Sequence, residues 1–124
     1  MSENGKLVLN AMTALFVNRD TSVVERYWSE NYLQHNPEMV DGRDHIAGFV
    51  ASLGEDFRYE PGVVIDGGEY VAIHGRYSGL GPTPFMAVDI FRIENGKLTE
   101  HWDVLQEEVP AAATKSGRPM TTKA

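Results

Sequence analysis

With no cysteine among its 124 residues, the chain has only oxygen and imidazole side chains with which to do chemistry. A thiol nucleophile, a disulfide framework, a zinc ribbon and an iron–sulfur cluster are all excluded. The residue that fits its surroundings least is Asp89, a carboxylate between Val88 and Ile90 in an otherwise apolar run from Phe85 to Phe91. Desolvating a carboxylate costs several kcal/mol unless it is hydrogen-bonded or protonated. Asp89 is therefore either tied to Arg76, Arg92 or the indole N–H of Trp102, or an acid/base group that exchanges its proton near neutral pH. Its candidate partner is His74, in Val71-Ala72-Ile73-His74-Gly75-Arg76, although a lone strand histidine is also a common structural residue. The third unusual stretch is Tyr32-Leu33-Gln34-His35-Asn36-Pro37. Its proline holds Asn36 extended and ends any helix, so His35 and Asn36 are either polar donors beside a pocket or a turn segment.

Metal ligation is not expected. Histidines 35, 45, 74 and 101 include no pair spaced two or four apart. A glycine-rich phosphate loop and a Gly-x-Ser-x-Gly elbow are both missing from the sequence.

These residues need elements to hold them. Apolar residues at Leu7, Val8, Ala11, Met12, Ala14, Leu15 and Phe16 predict a helix over 6–17. Asp20 or Thr21 can cap a second, with Val23, Val24, Tyr27 and Trp28 inward, ending near Asn31. Ile46, Phe49, Val50 and Leu53 predict a third over 43–53, stopped by Gly54. The period then changes from 3.6 to 2, predicting strands over 57–65, 70–78, 84–93 and 98–106. Helices followed by strands with turn-length connections indicate an α+β domain with an antiparallel sheet. Residues 1–110 form this single domain and 111–124 a loose tail, where Pro119-Met120 can dock.

Asn95-Gly96 is a strong signal for a two-residue type I′ hairpin, so strand register can be counted outward from it. An unbroken ladder pairs Ile93 with Leu98, Arg92 with Thr99, Ile90 with His101 and Asp89 with Trp102. One face then carries Asp89, Phe91, Glu100 and Trp102; the other carries Met86, Val88, Ile90, Arg92, His101 and Asp103. This count sets His101 on the face opposite Asp89, a further reason to expect no metal. It also leaves Met86, Val88 and Ile90 uncovered, since three short helices cover only one sheet face. A second copy of the chain, giving a homodimer through that outer face, is the economical cover; edge loops are the alternative.

The formal charge of −7, with eleven scattered Lys and Arg, does not suit nucleic acid. There is no basic n-region leading into an apolar run, and no apolar stretch of the roughly 20 residues needed to span a membrane. A cytoplasmic protein is expected.

Tyr32-Leu33-Gln34-His35-Asn36-Pro37, Gly42 and the run from Val88-Asp89-Ile90-Phe91-Arg92 through Asn95-Gly96-Lys97 to Glu100-His101-Trp102-Asp103-Val104-Leu105-Gln106 resemble the SnoaL-like polyketide cyclase family of the nuclear transport factor 2-like superfamily. The resemblance extends to Ser116-Gly117-Arg118-Pro119-Met120. It implies a cone, with a curved sheet wrapped round helices over a ligand cavity, commonly dimerising through the sheet. It implies Asp89 and His74 as acid/base residues for an aldol closure, Asn36 as a ligand contact, and no metal or organic cofactor. His35, Trp102, Phe91 and Arg76 complete the expected pocket for a small hydrophobic ligand. Ketosteroid isomerases share the superfamily, but Asn36 stands where they keep their general base, and Met12 or a neighbour where they keep an oxyanion-hole tyrosine. Isomerase activity is therefore not expected. The readings left are an aldol-cyclase-like enzyme, a ligand carrier without chemistry, and a dimeric scaffold with a vestigial pocket.

Overall fold

The computed structural model describes residues 1–122. Helix α1 (Glu3–Met12) runs on into a π-helical turn over Thr13–Val17, and Val8, Ala11, Met12 and Leu15 are buried along its apolar stripe. A 3₁₀ turn capped by the Asp20 carboxylate leads into the single-turn α2 (Val24–Tyr27). Helix α3 (Asp44–Ala51) buries Ile46 and Val50. Arg19, at a positive φ of 58°, donates to the carbonyls of Val50, Leu53 and Gly54 at the end of α3, where helix carbonyls lack partners of their own. That contact ties the first helical segment to the third.

Five strands follow one another across a single sheet in the order β1-β5-β4-β3-β2: β1 (Trp28–Gln34), β2 (Arg58–Gly67), β3 (Tyr70–Ser78), β4 (Phe85–Glu94) and β5 (Lys97–Glu107). Two expectations are corrected. The second helix ends at Tyr27 instead of near Asn31, and the residues beyond it form β1. Because β1 pairs with β5 in parallel, the sheet is mixed instead of purely antiparallel. The short α2 hides the strand signal in the sequence: Trp28 and Tyr32 are both buried, and a spacing of four reads as helix as readily as strand.

The Asn95-Gly96 turn forms as predicted, both residues at positive φ. The register beyond it does not. Ile93 pairs with Leu98, but Arg92 then pairs with Glu100, leaving Thr99 as the extra residue of a β-bulge. Every later pair moves by one: Phe91 faces His101, Ile90 faces Trp102 and Asp89 faces Asp103. A one-residue slip exchanges the faces of a strand, so His101 and Asp103 point inward with Asp89, while Glu100, Trp102 and Val104 point outward. The bulge sets Arg92 against Glu100 as an opposite-charge pair at 2.9 Å and keeps Glu100 out of the apolar interior.

The inner face and the helices enclose the core, in which Val8, Leu15, Val50, Val71, Ile73 and Leu98 have no exposed surface. On the outer face Met86, expected as an uncovered interface residue, is only 4% exposed, whereas Val104 is 68% exposed. In the tail, Ala111–Ala113 form a 3₁₀ turn, Met120 Sδ accepts from the Val109 N–H at 3.2 Å, and Thr122 lies against β2 and β3. Among the described residues no helix is long and apolar enough to cross a membrane.

Candidate active site

The cone holds a cavity of about 140 Å³. Met12, Leu15 and Phe16 enter it from the first helical segment, Ile46 and Phe49 from α3, and Phe57, Tyr77 and Phe91 from the chain before β2 and the sheet. Its polar wall is built where three strands meet. Asp89 comes from β4, His101 and Asp103 from β5, and Gln34 from the end of β1, with Asn36 two residues beyond.

Asp89 is 4% exposed and His101 6%. Neither Arg76, Arg92 nor Trp102 is hydrogen-bonded to Asp89. The Tyr77 phenol donates to its Oδ2 at 2.7 Å, and its Oδ1 lies 2.8 Å from His101 Nε2. Tyr77 reaches Asp89 past Gly75 and Ala87, two small residues paired across β3 and β4. Burial, reinforced by the nearby Asp89 charge, raises the Tyr77 phenol well above the ordinary tyrosine range, so it remains a donor. Tyr32 and Tyr59 are raised in the same direction, first by burial.

The hydrogen bonds of Gln34 settle where the His101 protons sit. Gln34 Oε1 accepts from the Asn36 backbone N–H at 3.1 Å, which fixes it as the carbonyl oxygen. His101 Nδ1 lies 2.6 Å from the same oxygen and so carries a hydrogen. One proton is then left to be shared between His101 Nε2 and Asp89 Oδ1. The pair is either imidazolium with carboxylate or neutral imidazole with carboxylic acid, and it has no net charge in either form. Asp103 stands beside it, with its Oδ2 at 3.8 Å from Nε2 and accepting from Asn36 Nδ2 at 2.7 Å.

Of the residues expected in the site, the structure brings Asp89, Asn36 and Phe91 to the cavity. His74 and Arg76 lie on the outer face, because β3 turns Val71, Ile73, Gly75 and Tyr77 inward. His74 Nδ1 meets Thr122 Oγ1 at 2.7 Å, and Arg76 pairs with Glu60 and Glu108. Trp102 is turned out by the bulge, and His35 stacks on it at 4.7 Å while bonding Glu100 at 2.6 Å. Tyr77, Gln34, His101 and Asp103 were not anticipated. His101 and Asp103, two apart on a strand, were bound to share a face; which face depended on Thr99. The register argument against a metal falls with that correction, since ligand atoms of Asp89, His101 and Asp103 lie within 4.8 Å of one another.

A family model described as a SnoaL-like domain matches residues 9–101. No curated protein matches the chain in sequence. Similar solved structures include a proposed ketosteroid isomerase from Kribbella flavida, with a TM-score of 0.74 and 16% identity, covering 85% of this chain and 78% of that one. TsrD from Streptomyces laurentii has a TM-score of 0.69 and 18% identity, covering 84% and 88%. Wild-type IdmH, a proposed polyketide cyclase from Streptomyces antibioticus, has a TM-score of 0.63 and 14% identity, covering 82% and 91%. At these identities the likeness shows the shared fold, helices on a curved five-stranded mixed sheet.

Proposed function

Because the chain belongs to the SnoaL-like domain family, we propose that it is an enzyme performing acid/base chemistry on a small hydrophobic carbonyl compound, of the aldol-cyclase type. Asp89 and His101 handle the proton. The observation carrying this reading is the 2.8 Å contact of Asp89 Oδ1 with His101 Nε2, which one proton bridges, at the wall of an apolar cavity. As the C–C bond forms, the pair gives its shared proton to the acceptor carbonyl oxygen, and the hydrogen lost from the α-carbon returns to the pair. One C–H bond is broken, one C–C and one O–H bond are made, and the pair ends with the single proton it began with. Gln34 holds the imidazole through Nδ1, and Tyr77 holds the far oxygen of Asp89, so neither group has to reorient during the reaction. His101 takes the partner role that the sequence suggested for His74.

The reading is tested with cyclohexanone in D₂O, following exchange of its α-hydrogens by NMR. The wild-type protein accelerates exchange. Asp89→Asn lowers the rate about 10²–10⁴-fold, the usual contribution of a positioned acid/base group, with the circular dichroism spectrum unchanged. A folded Asp89→Asn protein as active as wild type would remove Asp89 from the chemistry.

A further inference from the structure

Among the described residues, Asp103 is the charged group of the site that the shared proton of Asp89 and His101 leaves unbalanced. Its side chain is 10% exposed. Oδ2 is held by the neutral Asn36 amide, whereas Oδ1 has no hydrogen-bond partner among the described residues, and the residue lines the cavity. Two carboxylates and one imidazolium at this wall leave one negative charge, because the shared proton already balances Asp89 against His101. Among the described residues no Lys or Arg lines the cavity. Burying an ion without an opposite charge is expensive, and here the opposite charge has to come from what enters.

A metal ion is a poor match. Asp89 Oδ1 and His101 Nε2 bond each other, and Tyr77 and Asn36 occupy the two Oδ2 atoms. One free oxygen remains, too few for a divalent cation but enough for one N–H donor. The walls are aromatic: Phe16, Trp28, Tyr32, Phe57, Tyr77 and Phe91 line the cavity, and Tyr32 and Tyr77 lie close enough to Asp103 to feel its charge. Aromatic faces and a desolvated carboxylate together suit an organic ammonium group. The volume of about 140 Å³ is that of a cavity that takes one benzene ring.

Building on the acid/base reading of this site, we propose that its ligand is a small one-ring or short-chain carbonyl compound that carries an amine, its ammonium bound by Asp103 and its carbonyl oxygen facing Asp89 and His101. Anionic ligands are repelled.

The test is calorimetric binding to the full-length protein of three probes of one size: benzylamine, benzyl alcohol and benzoate. Benzylamine is expected to bind at least about tenfold more tightly than either of the others, with Asp103→Asn removing most of that preference. The ranking is measured on wild type, so the inference stays testable if the variant fails to fold. Tighter binding of benzyl alcohol or benzoate overturns the amine while leaving the cavity as the ligand site. Failure of all three to bind overturns the inference and the cavity together. Zinc ions that bind alone and expel benzylamine would assign Asp103 to a metal. Benzylamine binding by a protein that does not accelerate cyclohexanone exchange would sink the enzymatic reading and keep the amine site.

Discussion

At the scale of single residues, the chemistry depends on which atoms carry protons. His101 is useful because Gln34 removes its tautomeric freedom, leaving Nε2 and Asp89 to divide one proton. His101→Gln is therefore expected to lower carbonyl exchange as severely as Asp89→Asn, and the double variant little further, since the two act as a unit; steady-state rates on the three proteins check this. Tyr77→Phe removes a hydrogen bond to a charged group, costing about 1.5–3 kcal/mol in urea denaturation. The buried phenols also set an alkaline limit. With the folded-state pKa values of Tyr32, Tyr59 and Tyr77 all raised above the ordinary value of 10.0, the unfolded chain loses these protons first. Stability is thus intact below pH 10 and falls above it, by up to about 1.4 kcal/mol per pH unit for each tyrosine. Tyr77→Phe should reduce that slope by one such increment, read from unfolding at successive pH values.

Among the elements, Thr99 decides the site. The hairpin turn, the helix stripes and the four later strands could be read from residue spacing, because turn chemistry and periodicity are local. Which face of β3 turns inward could not, because the long loop before β4 leaves its register open, and His74 was expected in the site that β3 turns it away from. The bulge could not, because its cause lies across the ladder, in Arg92 meeting Glu100 and in the need to keep Glu100 from the core. Nor could β1 be read, since its pairing with β5 is parallel and joins residues far apart in sequence. Asp89 was legible as an apolar-strand carboxylate, whereas His101 and Asp103 were misplaced by the single residue that the bulge inserts. Deleting Thr99 should close a regular ladder in which Arg92 still meets Glu100 and His101 and Asp103 still face inward, so the buried pair survives. Denaturant unfolding of this variant should accordingly show none of the loss of about 3–5 kcal/mol that breaking a buried pair causes. On β3, a Cβ at Gly75 would stand 2.7 Å from Tyr59 Cε1. Gly75→Ala should accordingly cost about 1–3 kcal/mol by overpacking, measured in the same way.

For the whole molecule, one sheet separates two environments. Its inner face closes a cavity with the helices; its outer face presents Val88, Ile90, Trp102 and Val104, of which Val104 is largely exposed. We propose that a second copy of the chain covers this face. Sedimentation should give a dimer at micromolar concentration, and Val104→Lys a monomer that keeps the cavity; a monomeric wild type would contradict the proposal. Met86 is left out of that interface because its own chain already covers it. Strands β1, β4 and β5 bring Gln34, Asp89 and His101 together within one chain. The most direct test of that arrangement is ¹⁵N NMR of the histidine rings in wild type and Asp89→Asn. The account predicts a His101 Nδ1 that bears hydrogen at neutral pH and an Nε2 resonance that moves when Asp89 is replaced. A His101 whose Nδ1 bears no hydrogen, or whose Nε2 is indifferent to Asp89, would contradict it.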